Sequence, residues 1–150
     1  MLQCVCRKTG QCELCVKEKN PCSLCANLRR GALNDNAEKL GCNKVALGHH
    51  KDDALETLML SISYEGRINC FSPKSFMHKN NLTLIRPMVF IEESQIRKAA
   101  AEYNFPVIKN PCPADGKTKR EDLKNLIRNM NKDIPGLKKS LFSALNNSEQ

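Results

Sequence analysis

Tryptophan is absent from this chain of 150 residues, which contains only two tyrosines and five phenylalanines. This scarcity argues against recognition of nucleic acid mainly by stacking bases on an aromatic platform. Long apolar runs are also missing, since none approaches the ~20 residues that a membrane-spanning helix needs. Residues 1–20 are polar and lack the apolar core of a secretory signal. We therefore expect a soluble, cytoplasmic protein with no membrane partner.

Acidic residues are fewer than basic ones, with 16 Asp and Glu against 24 Lys and Arg, for a net charge of +8. A basic surface favours polyanionic partners, because it releases counterions from phosphates. Residues 117–139 are a candidate face for the backbone of RNA, although a solvated lysine-rich surface is the simpler alternative. The basic residues of this segment are Lys117, Lys119, Arg120, Lys124, Arg128, Lys132, Lys138 and Lys139.

Cysteine is abundant, with nine residues in total and six within the first 25. Without a secretory signal, this density favours metal ligation over disulfides. Cys22 and Cys25 form a CxxC pair at the start of a predicted helix, a spacing used by zinc, iron–sulfur and dithiol redox sites alike. Cys112 lies between two prolines that restrict its backbone, and it is either a third ligand or a loop thiol without a role.

The first 21 residues show no hydrophobic period, and we expect them to form an irregular, cysteine-rich arm. Four thiols in this arm could hold Zn²⁺, although an arm without metal is the alternative. These four are Cys4, Cys6, Cys12 and Cys15.

Hydrophobic periodicity predicts strands that alternate with helices over residues 22–150. Helix 22–41 should end at Gly41, and residues 65–81 read as a long loop. The predicted strands are 44–48, 82–86 and 105–108, and further helices follow from 52, 96, 123 and 137. This order indicates an α/β fold with a mostly parallel sheet, the second half of a doubly wound, Rossmann-like domain with C-terminal helices.

The segment GHHKDDALET joins the first predicted strand to the next helix. A helix N-terminus at this position is a natural phosphate site, and carboxylates beside it suit Mg²⁺. The alternative is helix capping by Asp52 or Asp53, with Glu56 as the capping-box partner of Asp53. Arg86, at the end of the second predicted strand, either faces a phosphate at the same sheet edge or is a surface arginine.

Four segments, CSLCANLRRGAL, GHHKDDALETLML, IRPM and NPCPADGKTKR, resemble the tRNA 2-thiocytidine synthetase group of the PP-loop ATP pyrophosphatase superfamily. The resemblance covers residues 17–150 and implies an adenine nucleotide α-hydrolase-like fold that binds ATP and Mg²⁺. It further implies that a cytosine carbonyl in the anticodon loop of tRNA is adenylated, and that sulfur from a donor protein or from sulfide then replaces the oxygen.

The resemblance also implies a [4Fe–4S] cluster held by three cysteines, with one iron left open for sulfide. The matching ligands are Cys22, Cys25 and Cys112. The residues that match the nucleotide motifs are Asp52 and Asp53 as catalytic groups, with His49 and Arg86 as nucleotide-binding groups.

One defining element of this family, the pyrophosphate loop Ser-Gly-Gly-x-Asp-Ser, does not occur here, and the only glycine before position 31 is Gly10. We therefore expect residues 22–150 to be the C-terminal part of such a domain, with an N-terminal half or a second copy as partner. One alternative is a non-catalytic zinc- and RNA-binding module, and another is a 2-thiouridine or lysidine type of enzyme from the same superfamily. The CxxC helix and Cys112 favour the thiolating branch.

Overall fold

The computed structural model describes residues 21–108, 112 and 116–148. The predicted arm and its zinc site lie outside the described residues, except for Pro21. The helices are α1 (Pro21–Lys39), α2 (Lys51–Leu60), α3 (Glu93–Glu102), α4 (Lys119–Asp133) and α5 (Leu137–Ser148). The strands are β1 (Lys44–Ala46), β2 (Lys74–Met77) and β3 (Leu82–Ile85), and a π-helical turn, Ser61–Glu65, extends α2.

The chain divides into two compact units. The first contains α1, Cys112 and nearly all of the sheet. The second contains 46–74, 86–107 and the C-terminal helices.

Helix α1 spans nearly the predicted range of 22–41. Pro21 occupies its first position, where a missing N–H costs nothing. At the other end, Gly41 adopts a φ of 68°, and its amide donates to the Glu38 carbonyl over 2.9 Å. The Cys42 amide donates to the Ala37 carbonyl over the same distance. These two bonds satisfy carbonyls of the last helical turn, so the predicted end at Gly41 is confirmed.

The sheet has three strands in the order β1–β3–β2 and is mixed. A four-residue turn joins β2 to β3, so these two strands form an antiparallel hairpin. In the central strand β3, Leu82 and Leu84 are buried and alternate with half-buried neighbours, as the two-residue period of a strand requires. The α/β class is confirmed, but the prediction of a loop over 65–81 is wrong because β2 lies within it.

The third predicted strand, 105–108, is also wrong, since this segment is irregular and exposed. Phe105 is 59 % exposed and Ile108 is 83 % exposed. Pro106 has no N–H to donate to a strand ladder. A short apolar run forms a strand only where a neighbouring strand pairs with it.

In the second unit, α2 packs against α4 and α5. Leu55, 1 % exposed, is the most deeply buried side chain of α2. The core comprises Ala54, Leu55, Leu58, Val89, Ile127, Phe142 and Leu145. Leu55, Leu58, Ile127 and Leu145 follow the helical periodicity that predicts these helices, whereas Ala54, Val89 and Phe142 were not predicted. None of the helices in the described ranges has the length and apolarity to cross a membrane.

Candidate functional site

The nucleotide-type motif lies at the start of α2, and a reciprocal pair of hydrogen bonds fixes its first turn. The His50 amide donates to Asp53 Oδ2 over 3.0 Å, and the Asp53 amide donates to His50 Nδ1 over 3.3 Å. The residue that caps the helix is therefore His50. Asp53 does take part in capping, but the predicted capping box between Asp53 and Glu56 is wrong by three positions.

Asp52 is 8 % exposed, and both of its carboxylate oxygens accept hydrogen bonds. Oδ2 accepts from the Glu93 amide over 2.8 Å, and Oδ1 accepts from Lys138 Nζ over 2.6 Å. Burial alone would raise the pKa of Asp52, but the Lys138 ammonium and the Glu93 amide outweigh it and lower the pKa. Asp52 therefore joins α2 to the starts of α3 and α5.

Glu93 also forms an ion pair close to Asp52, because its Oε2 lies 2.8 Å from Lys124 Nζ. Burial works to raise the pKa of Glu93, yet Lys124 and Arg97 bring it below its ordinary value. A cavity of about 40 Å³, on the scale of a single water, lies among these groups. Its charged lining consists of Asp52, Glu56, Glu93, Lys124, Arg128 and Lys138.

Three cations of the predicted RNA face thus contact carboxylates of their own unit instead of presenting a free charge to solvent. Lys124 pairs with Glu93, Lys138 pairs with Asp52, and Arg120 contacts α2. Ion pairing within the unit makes these three less available to an RNA backbone than the other cations of residues 117–139. The cations of the segment that remain exposed without such an ion pair among the described residues are Lys117, Lys119, Arg128, Lys132 and Lys139.

His49 and Arg86 both contact the ring of Phe71. The His49 and Phe71 ring centroids are 4.9 Å apart, and the Arg86 guanidinium lies 4.8 Å from the Phe71 centroid. Arg86 Nη1 also donates to the Ser72 carbonyl over 2.6 Å. Burial is the main reason why the pKa of His49 is lowered, and the positive charge of Arg86 adds to it. His49 is therefore a neutral imidazole at pH 7.

His49 Nδ1 is buried and has no hydrogen-bond partner in the part of the chain that the structure describes. A buried polar atom of this kind usually has a partner. The imidazole is thus suited to bonding a ligand at the start of α2. His49, Asp52, Asp53 and Arg86 all lie in the second unit.

The cysteines predicted to bind a cluster lie in the other unit. Cys22 is exposed and Cys25 is half-buried in the first turns of α1, and Arg29 Nη2 lies 3.8 Å from Cys25 Sγ. Cys112 is half-buried, but no three His, Cys, Asp or Glu side chains converge on a metal position anywhere in the described ranges. The three-cysteine set is therefore not assembled in this structure.

The predicted zinc ligands Cys4, Cys6, Cys12 and Cys15 lie outside the described residues.

Sequence reasoning missed the partners of the motif. Lys138 lies 86 residues after its partner on α2, and Arg120 lies 63–67 residues after its partners there. No local sequence pattern predicts pairs so far apart. Glu56 and Thr57 follow Asp53 by three and four residues, so the helical period could have placed them on the same face. Phe71 lies in the segment that reads as a loop.

A family model described as a PP-loop domain matches residues 7–131. Curated relatives include the tRNA-cytidine(32) 2-sulfurtransferase of Geobacter sulfurreducens, 43% identical over 128 residues that cover 84% of this chain and 50% of the relative. The enzyme of the same name from Syntrophotalea carbinolica is 42% identical over 143 residues, 91% of this chain and 55% of the relative. The chain thus spans about half the length of these relatives.

Among solved structures, the fold is similar to the U34-tRNA thiolase NcsA from Methanococcus maripaludis, which was solved with its [4Fe-4S] cluster. The TM-score is 0.72 at 29% identity. The match covers 87% of this chain and 44% of the thiolase. The similarity therefore includes most of the fold described above.

Proposed function

Because this chain belongs to the PP-loop domain family, we propose that it takes part in ATP-dependent thiolation of tRNA, the replacement of a cytidine carbonyl oxygen by sulfur. The curated relatives described above are tRNA-cytidine(32) 2-sulfurtransferases, and the structural neighbour is a tRNA thiolase. The observation that carries the proposal is the CxxC pair, since Cys22 and Cys25 lie at the start of α1 with side chains that are not buried.

The second unit is the proposed nucleotide side of this reaction. Asp53, His49 and Arg86 are the residues that we assign to the nucleotide, with Mg²⁺ entering together with ATP. Asp52 has a different role, because its contacts with Lys138 and Glu93 hold the helices that carry the site. The chain spans about half the length of these relatives, and the pyrophosphate loop that the whole reaction would use is not among its residues.

The first unit is the proposed cluster side. Cys22, Cys25 and Cys112 are the proposed ligands of a [4Fe–4S] cluster. A sulfide source or donor protein is the proposed supplier of sulfur, and the cytoplasm is the proposed location.

The exposed cations of α4 and α5 are the proposed contacts for tRNA. Arg128 and Lys132 are one turn apart on the outward face of α4, and Lys139 follows in the first turn of α5. Asn125 lies on the same face and accepts a hydrogen bond from Arg128 over 3.0 Å. Phosphate oxygens are suitable partners for such a stripe, because Lys and Arg contacts with the backbone position an RNA without reading its sequence.

The test is the iron and acid-labile sulfide content of the chain after anaerobic reconstitution. We expect about four iron atoms and as many sulfides per chain, with loss of both in Cys22→Ser and in Cys112→Ser. Cys42→Ser is the matched control, because Cys42 is an exposed cysteine outside the proposed set. Iron retained by Cys112→Ser, or zinc bound in place of iron by the unaltered chain, would contradict the proposal.

A further inference from the structure

Arg120, in the first turn of α4, contacts three side-chain oxygens of α2. Its Nη1 lies 3.3 Å from Glu56 Oε2 and 3.5 Å from Asp53 Oδ1. Its Nη2 donates a hydrogen bond to Thr57 Oγ1 over 3.2 Å. Because positions i, i+3 and i+4 lie on one face of a helix, one planar guanidinium reaches all three oxygens.

The start of α4 determines where this guanidinium lies. Thr118 caps the helix, and its Oγ1 accepts a hydrogen bond from the Glu121 amide over 3.3 Å. One to two turns further on, Leu123 is 6 % exposed, and Ile127 belongs to the core of the unit. The cap and the buried face together fix the helix on which Arg120 is carried.

The oxygens that Arg120 contacts require a positive charge nearby. Glu56 is only 4 % exposed, and burial raises its pKa. Arg120 is the main opposing influence on the pKa of Glu56, Lys124 is a lesser one, and the negative charge of Asp53 raises the pKa further. A buried carboxylate with a second carboxylate one turn away is costly unless a cation with suitable hydrogen bonds compensates it.

We propose that Arg120 is a positioning residue. Its guanidinium fixes the orientations of the Asp53 and Glu56 carboxylates of α2 at the nucleotide motif. The guanidinium fork holds the two carboxylates and Thr57 in one arrangement, so that Asp53 keeps the orientation in which it caps the helix. This inference rests on the proposed function, because only there is Asp53 assigned to the nucleotide. It also removes Arg120 from the RNA-contacting surface.

The experiment follows two properties of other residues in variants of Arg120, using the whole chain without any ligand. The first is the pKa of Glu56, followed by carboxyl ¹³C NMR, with the signal identified by its loss in Glu56→Gln. The second is hydrogen exchange of the His50 amide, which donates to Asp53 Oδ2. In Arg120→Gln we expect a higher pKa for Glu56 and about tenfold faster exchange at His50, the effect of losing one charge-assisted contact.

Two variants separate positioning from a general effect on stability. Arg120→Lys keeps the charge but loses the planar fork, so it should restore most of the Glu56 pKa and only part of the His50 protection. It also provides the test if Arg120→Gln does not fold. Lys98→Gln, at an exposed position of α3, is the matched control and should change neither quantity. An unaltered Glu56 pKa or unaltered His50 exchange in Arg120→Gln would overturn the proposal.

These measurements are independent of the cluster. A chain that binds no iron but shows both effects would refute the proposed function and leave the role of Arg120 in place. A chain that binds iron and shows neither effect would do the reverse.

Discussion

Replacing Asp52 with alanine should destabilise the second unit, because this side chain links three helices. The change removes a hydrogen bond from the Glu93 amide over 2.8 Å and an ion pair with Lys138 over 2.6 Å. A buried donor left unsatisfied costs about 1–3 kcal/mol. The Lys138 side chain is 31 % exposed and is hydrated once Asp52 is gone, so loss of the ion pair adds only about 1 kcal/mol. We therefore expect the free energy of unfolding to fall by about 2–4 kcal/mol.

The assay is urea unfolding followed by circular dichroism at pH 7, because the chain has no tryptophan. Asp52→Asn should cost less than Asp52→Ala, since the amide oxygen still accepts from the Glu93 amide while the ion pair is lost. Asp35→Asn, an exposed position on α1, is the control for the loss of one carboxylate and should stay within about 0.5 kcal/mol of the unaltered chain.

The same reasoning fixes the pH dependence. The pKa of Asp52 is lower in the folded chain than in the unfolded one, so its stabilising contribution is present above the unfolded pKa of about 3.9. That contribution is lost as the pH falls through the lower folded pKa. The stability difference between Asp52→Asn and the unaltered chain should therefore be full at pH 6–7 and should shrink below about pH 4. A difference of zero at pH 7, or one that persists at low pH, would refute the structural role of Asp52.

Two further predictions concern the core and the proposed RNA surface. Leu55→Ala should lower the free energy of unfolding by about 2–5 kcal/mol, because Leu55 is 1 % exposed. Leu126→Ala, at a site 45 % exposed, should cost far less in the same urea titration, and equal losses would contradict the assignment of the core. Arg128→Glu and Lys132→Glu should each weaken tRNA binding and reduce the slope of log K against log salt by about 1. Lys98→Glu on α3 is the control and should leave that slope closer to the value for the unaltered chain. If neither Arg128→Glu nor Lys132→Glu changed tRNA binding, the α4 surface would be excluded.

Local features of the sequence were sufficient for the elements whose signals act over a few residues. The end of α1 at Gly41 follows from the left-handed conformation that glycine tolerates, and it was predicted correctly. The helices α2, α4 and α5 and the strands β1 and β3 were also predicted. The capping box was placed three residues too late, because an extended backbone makes His50 the last residue before the helix.

The errors in the sheet have a long-range cause. Whether a short apolar segment becomes a strand depends on a neighbour that donates and accepts its hydrogen bonds. The hairpin partner β3 makes a strand of 74–77, a segment that reads as a loop. Residues 105–108 have apolar side chains but form no ladder, and Pro106 could not donate to one.

The sequence by itself determined the family, the α/β class and the candidate site residues, because motifs and periodicity are local properties of a chain. Only the tertiary structure decided what each of those residues contacts. It joined Asp52 to Lys138 and placed Arg120 beside Asp53, Glu56 and Thr57. Charges that look equivalent in the sequence become partners or surface groups according to packing, since a buried carboxylate is costly without a cation and an exposed lysine is not.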